Sequence, residues 1–276
     1  MHDPGQPGAQ RPLFDEQEGQ MAKGAVATLS VQHDRKVAAL GAPVEVRRHP
    51  AARRMTLKVS HTRRAVILTV PNGVRLEEAN RFLARHLDWV RDKLGEVPTA
   101  CPFADGSVLP VRGAMHRIRF VGGDADTARR RGEIVWPQAA SGTGLPVLCV
   151  AGLPEHAPRR LQDWLTAQAR KDLGERVAYH AKVLGLRPKR ISVRDQTSRW
   201  GSCSTTGQLC FSWRLILAPS TVLDYVAAHE VAHLKEMNHS ARFWALVART
   251  MPSLRDAKTW LNEHGRELHC YGRAEG

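Results

Sequence analysis

The chain has 276 residues, 42% of them hydrophobic and 25% charged, near the averages for globular proteins, which excludes wholesale disorder. Its 41 Lys and Arg against 27 Asp and Glu leave a formal net charge of +14, enough to attract phosphates, nucleic acid or acidic surfaces without choosing among them. The sequence has neither a run of about 18 apolar residues nor the apolar core of a signal peptide, so it predicts a soluble, cytoplasmic protein with no membrane partner.

Residues 1–40, rich in Gly, Pro and Gln and without a sustained apolar period, read as a flexible leader. Residues 41–98 form a first module. In it the β-rich runs MTLKVS and AVILTV, joined by HTRR, predict a hairpin, and Pro71-Asn72-Gly73 ends the second strand. Leu76, Ala79, Phe82, Leu83, His86, Leu87, Val90 and Leu94 then recur at helical spacing, which predicts one amphipathic helix. Residues 99–152 are a small β-rich connecting segment, where SVLPVRG, HRIRFVG, GEIVWP and PVLCVAG predict an antiparallel sheet. The basic pairs Arg47-Arg48, Arg53-Arg54, Arg63-Arg64 and Arg159-Arg160 and the run Arg129-Arg130-Arg131 are scattered, as on a solvated surface.

Residues 153–276 carry the chemistry. A long helix from Glu155 to just before Gly185 shows Leu161, Trp164, Leu165, Gln168, Ala169, Leu173, Val177 and His180 on one stripe. RISVRDQTSRWGSCSTTGQLCFSWRLILAP reads as strand, turn and strand, with Trp200-Gly201-Ser202 and Thr206-Gly207 as turn signals. Pro219-Ser220-Thr221 starts the next helix, and HEVAHLKEMNH, residues 229–239, lies two to three turns inside it.

At 100° per residue, His229 and His233 lie about 40° apart on that helix and Glu230 shares their sector. Two imidazoles one turn apart reach a single Zn²⁺ at about 2.0–2.1 Å, and a catalytic site needs a third protein ligand so that one position stays open for water. His239 is the nearest candidate, provided Met237-Asn238 turns the chain back. From the chain's own composition, HExxH arises by chance about 0.03 times, so accidental histidines are a weak account. Glu230 is placed as general base.

RWGSC at 199–203 followed by LDYVAAHEVAHLKEMNHSARFW at 223–244 resembles the YgjP-like family of metallopeptidase domains, formerly a domain of unknown function and related to SprT-like and M48 zinc peptidases. RRHPAARRMTLKVS and VPNGVRLEEANRFLARHLDWVRDKL match it too, and the middle strands less clearly. The resemblance implies an α+β, gluzincin-like fold in which a mixed sheet packs on the HExxH helix. It also implies one Zn²⁺ per chain on His229, His233 and His239, with Glu230 catalytic. Metzincins share the third-His spacing, but Glu236 stands where they carry Gly.

Trp200, Gly201 and Ser202 read either as a substrate-binding edge next to the HExxH helix or as a tight turn capped by a core indole. Arg194 and Arg199 either hold a substrate carboxylate or phosphate or pair structurally. Phe243 and Trp244 read as core anchors, and His264 and His269 as alternative third ligands. Five widely spaced cysteines without a CxxC pair, Cys101, Cys149, Cys203, Cys210 and Cys270, read as reduced thiols, with Cys203 and Cys210 buried rather than ligating. The expected function is a zinc-dependent peptidase acting on peptide or protein, with GQLCFSWRL at 207–215 offering a sheet edge to an extended substrate. The alternatives are a nucleotide pyrophosphatase of the UTP type, suggested for the family, and a nucleic-acid-associated protease like the SprT relatives, which act on DNA-linked proteins.

Overall fold

In the computed structural model, which describes residues 40–60, 64–122, 134–140 and 142–273, ten strands form three mixed sheets. The leader at 1–39, most of the HTRR turn and Arg129-Arg130-Arg131 lie outside the described residues. β1 (Val44–Arg48), β2 (Thr56–Ser60) and β3 (Ala65–Val70) form the first sheet in the order β1-β3-β2. The expected β2–β3 hairpin is there, with Leu57 opposite Leu68, and β1 lies parallel to β3 on its other side.

The single helix expected after Pro71-Asn72-Gly73 is two, α1 (Leu76–Arg85) and α2 (Leu87–Gly95). His86 breaks it at φ −116°, ψ 15°; its ring is exposed and its Nδ1 lies 2.8 Å from the Phe82 carbonyl. This local bond competes with helix continuation, so His86 does not belong to the apolar stripe. Ala79, Leu83, Leu87, Val90 and Leu94 do, and with Val46, Val59, Val66 and Leu68 they make one core.

All four expected strands of the middle segment form: β4 (Val108–Val111), β5 (Ala114–Phe120), β6 (Val135–Gln138) and β7 (Val147–Val150). The sheet is not purely antiparallel. Along the chain the four strands still alternate in direction, but in the sheet, ordered β4-β5-β7-β6, β6 skips a slot, so β7 falls beside β5 and runs parallel to it. Leu109, Val111, Ile118, Leu148 and Val150 share a core with α3 (Ala157–Leu184), whose Leu161, Leu165, Ala169, Leu173 and Val177 are buried at intervals of four. Gly185 ends α3 at φ 68°, in the left-handed conformation a side chain disfavours.

β8 (Arg190–Arg194), β9 (Gly201–Cys203) and β10 (Gln208–Ser212) form the third sheet, ordered β8-β10-β9. Trp200-Gly201-Ser202 is therefore not a turn but the start of an edge strand, whereas Thr206-Gly207 does turn, with Gly207 at φ 78°. A 3-10 helix (Trp213–Leu217) leads to α4 (Ser220–Ala232), which is buried on nearly every side. α5 (Ala241–Thr250), α6 (Leu254–His264) and a closing 3-10 helix (Gly265–His269) follow. α4 lies against α3, α5, α6 and β9.

Candidate metal centre

His229 and Glu230 sit in the last turns of α4, and His233 caps its C-terminus. Short bonds from Leu234, Lys235 and Glu236 back to the Val231 and Ala232 carbonyls tighten the exit, and the chain doubles back so that His239 faces the helix. The Nε2 atom of His229 lies 3.1 Å from that of His233 and 3.0 Å from that of His239. Phe243 packs against all three rings at 4.5–4.8 Å between centroids, and Trp244 stacks on His239. Both are core anchors, as expected, and Ser240 Oγ starts their helix by accepting the Phe243 N–H.

These three nitrogens fit one ion. Donors at about 2.0–2.1 Å from a tetrahedral centre stand about 3.3 Å apart, close to the observed separations. His233 Nδ1 lies 3.0 Å from the Glu236 carbonyl; a donated N–H there leaves its Nε2 lone pair facing the cluster. Burial, followed by the neighbouring His233, His239 and Lys258, holds His229 well below the ordinary imidazole pKa, so it is neutral, as a ligand must be. Among the described residues His229, His233 and His239 are a group of metal-ligating type close enough to share an ion.

Glu230 stands outside that group and is 2% exposed. Burial raises its carboxyl to about 8, and Arg199 opposes the rise. Gly201 lies directly against it: a Cβ at Gly201 would sit 2.6 Å from Glu230 Cγ and Oε1. Cys203, two residues along β9, is pushed up to about 11 by burial and by Glu230. Arg199, Ser202 and Cys203 share the wall of an open groove with Arg194, which is exposed. Cys210, on β10, accepts from Gln196 Nε2 at 2.8 Å.

Trp200 turns the other way. Its indole stacks on His269 at 4.8 Å and packs on Gly265, so it anchors the closing 3-10 helix. His269 is thereby placed on Trp200, and His264 on Trp260 and beside Glu263 and Glu267; neither joins the histidine cluster. Sequence reasoning missed Gly201 as the neighbour of Glu230. It also missed a tie between α3 and α4, where Asp224 accepts from His180 Nε2 at 2.7 Å and from Arg176. A histidine within the apolar stripe of α3 was the available signal for the latter.

The model of the YgjP-like metallopeptidase domain matches residues 53–264, a span that includes most of the first core, the groove and the whole histidine cluster. This chain belongs to the YgjP-like family. No curated protein matches it. Among solved structures, the metallopeptidase zymogen of Pyrococcus abyssi abylysin is similar at 22% identity and a TM-score of 0.31, over 35% of this chain and 94% of that one. As a YgjP-like domain the chain is of metallopeptidase type, which implies a metal ion and a peptide or protein substrate. None of the helices among its described residues is long and apolar enough to cross a membrane.

Proposed function

We propose that this YgjP-like chain is a zinc-dependent peptidase of gluzincin-like build, working in the cytoplasm, with one Zn²⁺ on His229, His233 and His239 and Glu230 as general base. The observation that carries this reading is the convergence of the His233 and His239 Nε2 atoms on that of His229, at 3.1 and 3.0 Å, beside a buried carboxylate that is not one of the group. When bound, zinc supplies a Lewis acid that acidifies water and polarises a carbonyl oxygen. Glu230 accepts the proton of the attacking water and returns it to the leaving amine. A carboxyl lifted by burial toward neutrality works in both directions, and Arg199 pulls it toward the base form.

The expected sheet edge at 207–215 is not one, because β10 is the central strand and the Ser212 N–H donates to the Trp200 carbonyl at 2.9 Å. The edge nearest α4 is β9. With Trp200 bonded to Ser212 and Ser204 to Gln208, the antiparallel alternation turns the N–H and C=O groups of Gly201 and Cys203 away from β10. An extended peptide pairing there runs past Glu230 with little side-chain selection. Arg194, Arg199 and Ser202 flank that path and hold a substrate carboxylate.

The test is zinc content and peptide hydrolysis of wild type and two variants. Glu230→Gln keeps its zinc and loses turnover by at least on the order of a hundredfold. His239→Ala loses zinc, since three protein ligands are the usual minimum for an open site. A zinc-loaded Glu230→Gln protein with near-normal turnover overturns the assignment. The two arginines also favour a second reading, a nucleotide phosphate in the same groove. It gains if wild type ignores peptides, cleaves nucleoside triphosphates and loses that activity on Arg194→Ala or Arg199→Ala.

A further inference from the structure

Cys101 and Cys270 are 169 positions apart in the chain, yet the Cys270 thiol donates to Cys101 Sγ at 3.1 Å. The backbone holds them there. Cys101 forms an isolated parallel bridge with Tyr271; its N–H donates to the Cys270 carbonyl at 3.0 Å, and the Gly272 N–H donates to the Cys101 carbonyl at 2.9 Å. Gly272 is at φ 74° and a Cβ on it would come within 2.8 Å of Phe103, so the strap closes only with glycine there. A disulfide needs its sulfurs at about 2.05 Å. Small side-chain rotations reach that from 3.1 Å without moving two backbones already hydrogen-bonded to each other.

We propose that Cys101 and Cys270 are a reversible oxidation site, a dithiol that low-molecular-weight disulfides convert to an intrachain disulfide. Cys101 is partly exposed and Cys270 buried, so the reaction enters at Cys101. The Cys101 thiolate attacks one sulfur of the external disulfide, breaking its S–S bond and releasing one small thiolate. Cys270 Sγ then gives its proton to solvent and attacks the mixed disulfide at Cys101, forming the intrachain bond and expelling the second small thiol. Two protein thiols are oxidised and one external disulfide is reduced to two thiols. Burial, and then the bond to Cys101, push the Cys270 thiol up to about 12, which makes its attack the slower step.

The bond would fasten the C-terminal strap behind the candidate site. Arg214 donates to the Leu268 and Tyr271 carbonyls at 3.2 and 2.6 Å, and His269 stacks on Trp200, the neighbour of Gly201. Oxidation therefore ties residue 101 to the segment that supports β9. The other three cysteines serve as internal controls, since only Cys101 and Cys270 face each other in this way among the described residues.

The experiment incubates the zinc-loaded full chain with oxidised glutathione, alkylates under denaturing conditions and maps the peptides. The expected result is a linked peptide carrying Cys101 and Cys270, with Cys149, Cys203 and Cys210 alkylated. The thermal midpoint of the transition that belongs to the core from Phe103 to Leu268 should rise by roughly 5–10 °C, because a long loop is closed, and fall back on reduction. Cys101→Ser, at the partly exposed position, should fold as wild type and lose both the linked peptide and the midpoint rise. Glutathione that stays on Cys101 without linkage, scrambled pairing, or a midpoint rise that survives Cys101→Ser each overturns the proposal.

Discussion

Gly201 determines how much room Glu230 has. Its backbone is extended strand, so the demand for glycine is one of space alone, and the atoms in the way belong to a fully buried carboxylate with nowhere to retreat. Gly201→Ala should push Glu230 aside while leaving His229, His233 and His239 in place. Turnover then drops on the order of a hundredfold, as a misplacement of about 1 Å commonly costs, at unchanged zinc content. Assay of turnover per bound zinc decides it, and normal turnover would show that the contact is slack. The histidines and Glu230 were legible in the sequence because one helical turn brings i and i+4 together whatever the rest of the chain does. His239 was legible through the reversal at Met237-Asn238. Gly201 was not, since its partner lies across a sheet-to-helix contact that no local spacing announces, and RWGSC alone reads equally well as a turn.

Between elements, the tie of α3 to α4 is the feature with a measurable pH signature. Burial pushes the Asp224 carboxyl up, but the bonds from His180 and Arg176 outweigh it and leave its pKa below the ordinary value. A carboxyl depressed on folding contributes stability above its unfolded pKa of about 3.9, and that contribution is lost as pH falls through the folded value. Asp224→Ala leaves a fully buried His180 and a partly exposed guanidinium without their acceptor, which should cost about 1.5–3 kcal/mol at neutral pH. Urea unfolding at pH 7 and again near pH 3 checks it: the gap from wild type should shrink in acid, and an equal gap at both would remove the carboxylate from the account. Most of the strands were legible as β-rich runs, β1 and β9 were not, and the order of the strands was not legible at all. In all three sheets a strand inserts between its two predecessors, as β3, β7 and β10 do, parallel to the earlier and antiparallel to the later. Periodicity records which face a residue takes and carries no information about which slot its strand fills, which is why β10 read as an edge and is a centre.

At the scale of the whole molecule, the described residues bury two main cores. One is the first sheet with α1 and α2; the other runs from Phe103 through the second sheet, α3 and α4 to Leu268. The three clustered histidines belong to α4 and the chain reversal after it, on the second core, so an ion bound there would stabilise only that core directly, by RT ln(1 + [L]/Kd), which amounts to about 4 kcal/mol at a thousandfold excess over Kd. The expectation is two thermal transitions in the zinc-loaded chain, of which chelation lowers one and leaves the other where it was. Scanning calorimetry with and without a chelator reads both at once, and His239→Ala without chelator should reproduce the chelated trace because it removes the same linkage. If instead one transition appears and moves as a whole, the two cores unfold together, and residues 98–102 between them act as a packed joint rather than a hinge.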